Sequence, residues 1–423
     1  MAFLPGFEPR FSVPETDVLS IELQELNLAD IAASRTLVNR KTFGKNLIAI
    51  KSSVDLFSRM ARRTTVTVHV GDLALGSQHP IRVQSMTNTK TEDVSETIRQ
   101  IWQLYDAHCE IVRITVPNLN AVTALKDIKR QLVADHIALP IVADVHFSPS
   151  VAIACVPYAD KVRINPGNFH NLKEFETLIR IAKKEGKSIR IGVNHGSIQP
   201  ALLQQYGHTP EAMYQSLLPF LNIARRESFN AIVLSFKSSS VPDAVMCNRE
   251  LAKRLDEDGF HFPIHLGITE AGNGEMGRMK GAIGIGSLLL DGIGDTIRVS
   301  LTEDPVNEVA AAYNILQATQ RRITQTEYVA CPSCGRTQFD IQNVLEKIKQ
   351  ATAHLKNIKI AVMGCIVNGL GELADADYGY IGAGPGTVNI YAHGQCVKTN
   401  ISEAFAIQAL LDIIHADGHS KSC

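Results

Sequence analysis

The sequence contains no apolar stretch that approaches the roughly 20 residues needed by a membrane-spanning helix. Its best candidate, around Ala282–Leu290, is interrupted by glycine and stops at Asp291. Net charge is also nearly absent, because 42 basic and 43 acidic residues give a formal charge of −1. This balance excludes a general attraction to nucleic acid or anionic membranes. Any anionic ligand must therefore be captured by local groups of Arg and Lys.

We expect no secretory signal peptide, and acidic residues from Glu15 to Asp30 argue against an organelle transit peptide. We therefore expect a cytoplasmic protein. Residues 1–60 carry no recognisable chemistry and differ in pattern from the rest of the chain. They are expected to be an added N-terminal extension, or else the true start lies near Met60.

Beyond Thr64 the chain alternates between short β-rich runs and amphipathic helical segments. A small hairpin comes first, over Thr65–Val70 and Leu73–Leu75. Eight runs then predict parallel strands that can close into a (β/α)8 barrel. They are Ile81–Ser85, Ile111–Thr115, Ile141–Val145, Lys161–Asn165, Ser188–Val193, Ala231–Phe236, Ile264–Ile268 and Thr296–Ser300. An open doubly wound sheet is the alternative, but the glycine fingerprint typical of its first turn is missing after Gln84.

The pattern changes after a connector near Arg321–Thr326. A helix over Asp340–His354, short strands and a closing helix over Ser402–His415 predict a small α+β domain. We therefore divide the chain into an extension (1–60), a substrate-binding barrel (61–322) and an α+β domain (327–423).

The predicted strands end in an unusual number of cations. The carboxyl ends of barrel strands face the active site. Burying charge there is costly without partners, so a convergence of guanidinium groups predicts a polyanionic ligand, most simply a diphosphate. The polar residues at these ends are Arg113, Arg163, Arg190, Asn194, Lys237, Arg298 and Ser300.

One carboxylate, Glu270, follows the seventh strand among these cations. It can relay a proton to a leaving oxygen, or it can simply neutralise Arg298 or Lys237. Asp144 and His146 end the third strand, and a structural hydrogen bond is the simpler interpretation for that pair.

Five of the eight cysteines fall in the last ninety-odd residues, from Cys331 onward. Cys331 and Cys334 form a tight knuckle, and Cys365 lies in a glycine-rich loop. In a protein without secretory features this favours metal binding over disulfides. Spacing alone leaves two alternatives, an iron–sulfur cluster or a structural zinc site completed by Cys396 or His393.

The ordered motifs of both halves resemble those of the 4-hydroxy-3-methylbut-2-en-1-yl diphosphate synthase family. The likeness runs from about Thr64 to Ala416. The segments that carry it are Val83–Thr89, Ile111–Ile114, Arg163–Asn168, Arg190–Asn194, Leu266–Gly272, Thr296–Thr302, Cys331–Arg336 and Gly364–Gly369.

The resemblance implies an iron–sulfur oxidoreductase of isoprenoid precursor synthesis, in its two-domain bacterial form. Such enzymes open 2-C-methyl-D-erythritol 2,4-cyclodiphosphate reductively with two electrons from flavodoxin or ferredoxin. It implies a [4Fe–4S] cluster on Cys331, Cys334, Cys365 and Glu372, with Glu270 acting near the reacting hydroxyl. The seven strand-end residues would hold the diphosphate. A head-to-tail homodimer is also implied, in which the cluster of one chain caps the barrel of the other.

One position departs from the family pattern, because Leu370 stands where proline is usual. Leucine frees a backbone dihedral and adds an amide donor, so a looser loop is expected.

Two other functions remain as alternatives on the residues alone. One is a barrel transferase for a phosphorylated or pterin substrate with a zinc knuckle, and the other is a zinc-ribbon protein that binds RNA or protein. The near-neutral charge counts against the second.

Overall fold

The computed structural model describes residues 61–419, apart from 170, 368–370 and 372. The predictions for residues 1–60, Glu372 and Leu370 therefore lie outside the described residues. At the start of the described chain, β1 (Val68–Val70) and β2 (Leu73–Leu75) form the expected antiparallel hairpin. Gly71 in its turn has a φ of +59°, a conformation that glycine adopts without strain.

Eight parallel strands come next, and they form the predicted barrel. Their order in the sheet is β8-β7-β6-β5-β4-β3-β10-β9. A parallel bridge between Leu234 and Ile264 joins the two ends, β8 and the segment leading into β9. The strands are β3 (Arg82–Met86), β4 (Ile111–Thr115), β5 (Ile141–Asp144), β6 (Lys161–Ile164), β7 (Ser188–Asn194), β8 (Ile232–Lys237), β9 (His265–Leu266) and β10 (Thr296–Ile297).

Amphipathic helices cover the outside of the barrel. Most begin at a side chain that caps a free backbone amide, such as Asp93, Asn118 and Ser240. They are α1 (Val94–Asp106), α2 (Leu119–Ala134), α3 (Pro149–Cys155), α4 (Leu172–Lys184), α5 (Pro200–Tyr206), α6 (Pro210–Arg226), α7 (Val241–Glu257), α8 (Gly274–Leu290) and α9 (Pro305–Ala318). None of the helices in the described part of the chain is long and apolar enough to span a membrane.

The hairpin closes the amino-terminal end of the barrel. Its buried side chains Val68, Val70 and Leu75 pack against Val142 and Val233, which point into the barrel from β5 and β8. Because side chains alternate along a strand, the next inward residue of each strand is two positions further on. The interior therefore changes from an apolar floor to the polar strand ends that were singled out in the sequence.

The chain beyond Thr326 forms a second, mixed sheet with two helices. The strand order is β11-β12-β13-β14-β15, with the first three parallel and the last two antiparallel. These elements are β11 (Glu327–Ala330), α10 (Ile341–Thr352), β12 (Lys359–Met363), β13 (Tyr378–Gly384), β14 (Thr387–Ala392), β15 (Gln395–Ser402) and α11 (Glu403–Ala416). The fold class predicted from the sequence, a (β/α)8 barrel followed by a small α+β domain, is confirmed.

Sequence inspection missed β11 and β13. Strand β13 contains three glycines in seven residues, which weakens the usual signature of a strand. Its neighbours on both sides supply hydrogen bonds that a glycine-rich segment accepts as readily as any other.

The glycines of α8 differ in how closely neighbouring side chains pack against them. A Cβ built on Gly284 would lie 2.4 Å from Ile268 Cδ1, whereas one on Gly286 would lie 3.6 Å from Thr319 Cγ2. The first distance is a clash and the second is ordinary van der Waals contact.

We predict that Gly284→Ala destabilises the protein by about 1–3 kcal/mol, because the new methyl group overpacks a filled core. Gly286→Ala on the same helix is the matched control. It should be neutral or stabilising by up to about 1 kcal/mol, since alanine favours the helix. Urea unfolding of both variants measures the difference, and equal stabilities would contradict the packing role of Gly284.

Candidate functional site

A cavity of about 440 Å³ opens at the carboxyl ends of the barrel strands. Three residues singled out in the sequence line it, namely Asn194, Lys237 and Glu270, and His146 joins them. The remaining lining residues are Asn165, Asn168, His195, Gly196, Ser197, His208, Ser238, Ser239 and Thr269. The structure therefore places part of the predicted site around one cavity and the rest beneath or beside it.

Asp144 organises the cations on one side of the barrel. Arg163 Nη1 donates to Asp144 Oδ1 at 3.0 Å and also contacts His146 Nε2 at 2.6 Å. Arg113 Nε lies 3.6 Å from Asp144 Oδ2. Burial alone would raise the pKa of Asp144, but Arg113, His146 and Arg163 hold it well below its usual value. This side of the site is therefore ionised and pre-ordered, as the structural interpretation of Asp144 and His146 expected.

The charge of Arg190 is stabilised by fewer polar partners than that of Arg163. Its side chain is buried, and Nε donates to Ser235 Oγ at 3.1 Å. Its Nη1 has no hydrogen-bond partner among the described residues, and the same is true of Arg163 Nε. Burial, followed by the charges of Arg113 and Arg163, lowers the pKa of Arg190. Buried donors without acceptors are what an anion-binding site offers to its ligand.

Lys237 is the buried cation that lines the cavity itself. Burial, with Arg190 and Arg113 nearby, lowers its pKa well below the usual value. Its position depends on Gly267, because a Cβ there would lie 2.7 Å from Lys237 Nζ. The glycine leaves the space in which the ammonium group sits.

Arg298 differs from the other cations because it has a full partner. Its Nε and Nη2 donate to the two oxygens of Glu308 at 2.9 and 2.8 Å. Glu308 is buried in the first turn of α9 and also accepts from Ser85 Oγ. The alternative in which Glu270 neutralises Arg298 is therefore wrong. Ser300, two residues after Arg298, is half-buried.

Glu270 is exposed at the cavity wall and makes no ion pair within 4 Å among the described residues. Its φ of +50° is uncommon for a residue other than glycine, and such conformations concentrate at functional sites. The structure thus supports neither Arg298 nor Lys237 as the ion-pair partner of Glu270. The Glu270 carboxylate lines the cavity instead.

Sequence reasoning missed several polar residues of the barrel interior. Lys161 and His265 are completely buried, and Glu308 completes the Arg298 pair. Strand alternation could have found Lys161, because it lies two residues before Arg163 on the same face of β6. Glu308 gives no such signal, since it belongs to a helix and its partner is ten residues away.

The three cysteines of the α+β domain lie just after neighbouring strands. Cys331 comes directly after β11 and Cys365 lies two residues after β12, a strand parallel to β11. The Cys331 Sγ accepts a hydrogen bond from the Gly364 amide at 3.3 Å, which links the two loops. In the knuckle, the Thr337 hydroxyl accepts from the Cys334 amide at 3.0 Å.

Cys396 and His393 cannot complete a zinc site with these cysteines. Strand β14 runs antiparallel to β13, so His393, which comes directly after β14, lies at the opposite end of the sheet. Its Nε2 is 3.1 Å from Asp417 Oδ2. Cys396 lies on the edge strand β15, opposite Tyr391. The closed four-ligand set that structural zinc requires is therefore not available from these residues.

The three cysteines fit the ligand arrangement of an iron–sulfur cluster. In a [4Fe–4S] cluster, each cysteine binds a different iron. Thiols on two adjacent loops, with a backbone amide directed at one sulfur, fit that arrangement.

The fold and the two sites define an anion-binding barrel enzyme with a separate α+β domain that presents three cysteines. Family models agree with this class: the GcpE TIM-barrel domain matches residues 65–313, and the GcpE protein C-terminal domain matches residues 327–416. The chain belongs to the GcpE family, which is the family of 4-hydroxy-3-methylbut-2-en-1-yl diphosphate synthase.

Curated relatives carry the name 4-hydroxy-3-methylbut-2-en-1-yl diphosphate synthase (ferredoxin). One from Synechococcus sp. (strain JA-2-3B'a(2-13)) is 48% identical over 84% of this chain and 93% of its own. Another, from Prochlorococcus marinus, is 45% identical over 84% of this chain and 94% of its own. A solved 3-deoxy-D-arabino-heptulosonate 7-phosphate synthase from Thermotoga maritima covers 62% of this chain and 95% of its own, at 13% identity and a TM-score of 0.40. So weak a structural likeness carries no argument.

We predict that Gly267→Ala weakens the binding of inorganic diphosphate roughly tenfold or more. A Cβ there would lie 2.7 Å from Lys237 Nζ and 2.8 Å from the Arg298 carbonyl oxygen, so Lys237 and the Arg298 backbone must both shift and charge-assisted contacts are lost. Gly196→Ala is the matched control in the same cavity, since a Cβ there meets nothing within 4 Å. Isothermal titration calorimetry measures both. Unchanged affinity in Gly267→Ala would remove Lys237 from the anion site.

Proposed function

We propose that this chain reduces 2-C-methyl-D-erythritol 2,4-cyclodiphosphate to 4-hydroxy-3-methylbut-2-enyl diphosphate, with two electrons and the release of water. The observation that carries the proposal is the barrel mouth, where buried guanidinium donors without acceptors lie beneath an open cavity. Membership of the family and the names of its curated members support the same reaction. The transferase alternative finds no comparable support.

The diphosphate is assigned to the cationic wall. Arg163, Arg190 and Lys237 are the strongest candidates because all three are buried. Arg163 and Arg190 also have donor nitrogens without an acceptor among the described residues. Asn194 lines the cavity and adds a neutral amide. Arg113, Arg298 and Ser300 complete the proposed set. Since Arg298 is already held by Glu308, its contribution is to fix the shape of the wall.

Glu270 is assigned to the reacting end of the substrate. It lines the cavity and has no ion-pair partner there among the described residues. Loss of a hydroxyl as water requires a proton at the leaving oxygen, and a carboxyl group within hydrogen-bond reach supplies one. Glu270 is therefore proposed to hold and transfer that proton.

The cluster is assigned to Cys331, Cys334 and Cys365, with Glu372 as the fourth ligand. When bound there, a [4Fe–4S] cluster supplies low-potential electrons and a Lewis-acidic iron. The chain's own contribution is to hold the thiolates on two adjacent loops and to direct the Gly364 amide at one sulfur. Ferredoxin is the proposed electron donor, as in the names of the relatives, with flavodoxin as the other candidate. The cytoplasmic location stays a prediction.

A homodimer is proposed on the basis of an apolar stripe along α8. Met276, Met279, Ile283 and Leu290 are all about half exposed or more, at spacings that place them along one helix face. An exposed apolar face of this kind is typical of an interface. A second copy of the chain would cover it, and the cluster of each chain would then serve the barrel of the other.

We predict that Cys365→Ser abolishes reductant-dependent turnover and removes most iron and acid-labile sulfide from anaerobically purified protein. Cys396→Ser is the matched control, because that cysteine is exposed on the far edge of the sheet. It should retain iron, sulfide and turnover. Zinc without sulfide in the wild type, lost in Cys396→Ser, would overturn the cluster assignment.

Co-expression of two inactive variants tests the exchange between subunits. Arg163→Ala removes a barrel contact and Cys365→Ser removes a cluster ligand, so each homodimer should have very low activity. A mixed dimer contains one intact barrel facing one intact cluster domain, and activity should reappear. If barrel and cluster act within one chain, the mixture stays as inactive as its components.

A further inference from the structure

A sixth cation, Lys161, lies inside the barrel and takes no part in the proposed site. It is the first residue of β6, so its side chain points inward like that of Arg163 two positions later. The residue is 0% exposed. Its Nζ has no hydrogen-bond partner among the described residues.

The surroundings of Lys161 contain no available counter-ion among the described residues. Its register partner on β5 is Val142, which belongs to the apolar floor formed with the hairpin. The adjacent carboxylate, Asp160, accepts from Lys129 Nζ and from the Ile141 amide, at 2.8 and 2.9 Å, on the other face of the strand. The register partner of Lys161 on β7, Ser188, is also buried, so the Lys161 side chain is closed off from solvent.

The charged and titratable groups that face Lys161 from the other strands are mostly cations. They are Arg113 of β4, Arg190 of β7 and His265 of β9. The inward carboxylate of β5, Asp144, is already paired with Arg163 and Arg113. Both His265 and Arg190 also have a buried nitrogen without a partner in the described part of the chain.

Burying an ammonium group without a counter-ion costs free energy, and such a group usually loses its proton instead. Burial, followed by the charges of Arg190 and Arg113, lowers the pKa of Lys161 to about 7. A polyanion bound to the cations above it would reverse this preference, because the added negative charge stabilises the protonated amine.

We propose that Lys161 takes up a proton from solvent when a diphosphate binds at the barrel mouth, so that the site gains a positive charge on binding. The inference rests on the proposed function, since it requires the anion site. Lys161 begins β6 two positions before Arg163 and is paired with Val142 of the apolar floor, so it lies deeper in the barrel than the strand ends that line the cavity. It is therefore a positioning residue that acts through the charge of the Arg190 layer rather than by touching the ligand.

The test is isothermal titration calorimetry of inorganic diphosphate into the full chain at pH 8, in buffers of different ionisation enthalpy. Wild type should take up close to one proton more than Lys161→Met, because the buried amine is neutral before binding and charged after it. Lys129→Met is the matched control, a lysine already paired with Asp160, and should behave like wild type. Between pH 7 and pH 9, the Kd of wild type should rise on the order of tenfold more than that of Lys161→Met.

Thermal unfolding gives a second readout that needs no ligand. Because the folded-state pKa lies below that of the unfolded chain, protonation of Lys161 disfavours the folded state at low pH. Lys161→Met should therefore raise the Tm most at pH 7 and below, and the gain should shrink as pH rises towards 10. A lower Tm for Lys161→Met throughout would contradict the absence of a counter-ion.

The outcomes separate the two proposals. Equal proton uptake by wild type and Lys161→Met, with diphosphate binding retained, would overturn this inference and leave the function intact. If wild type fails to bind diphosphate, the anion site and the inference both fall. Greater uptake by wild type, together with the Tm gain of Lys161→Met, supports the coupling.

Discussion

The structure depends on a barrel interior that contains more positive charge than the protein neutralises. Arg113, Arg163, Arg190 and Lys237 are all buried there, and Asp144 on β5 is a carboxylate that faces them. Each buried cation without a partner costs free energy that the rest of the fold must supply. The free energy that the buried cations cost is offset when a polyanion binds to them. The same unpaired cations therefore set the preference of the site for polyanions.

The fold tolerates this charge by separating it from the apolar core. Side-chain alternation places the cations inside the barrel, while the opposite face of each strand packs against the helices. The β1–β2 hairpin closes the floor with valine and leucine. Two carboxylates, Asp144 and Glu308, fix the orientation of three arginines, and the remaining cations are held by shape, as Gly267 does for Lys237.

Much of this arrangement could be predicted from the sequence, because it arises from short-range rules. The strands of the barrel and the cations at their ends were identifiable from alternation and from charge in apolar runs. Glu308 was not, since nothing local shows that a helix residue reaches Arg298. Spacing found Cys331 and Cys334, but it could not exclude zinc. His393 could be excluded as a fourth ligand only from the direction of β14, which places it at the far end of the sheet.

The two domains keep two kinds of site apart. The buried cations of the barrel suit an anionic ligand, whereas the three cysteines of the α+β domain lie beside a separate sheet. Glu270 lies on the cavity wall, exposed and free of ion pairs among the described residues. Under the proposed function, the cations hold the phosphates and the Glu270 carboxyl group transfers the proton at the rim of the cavity.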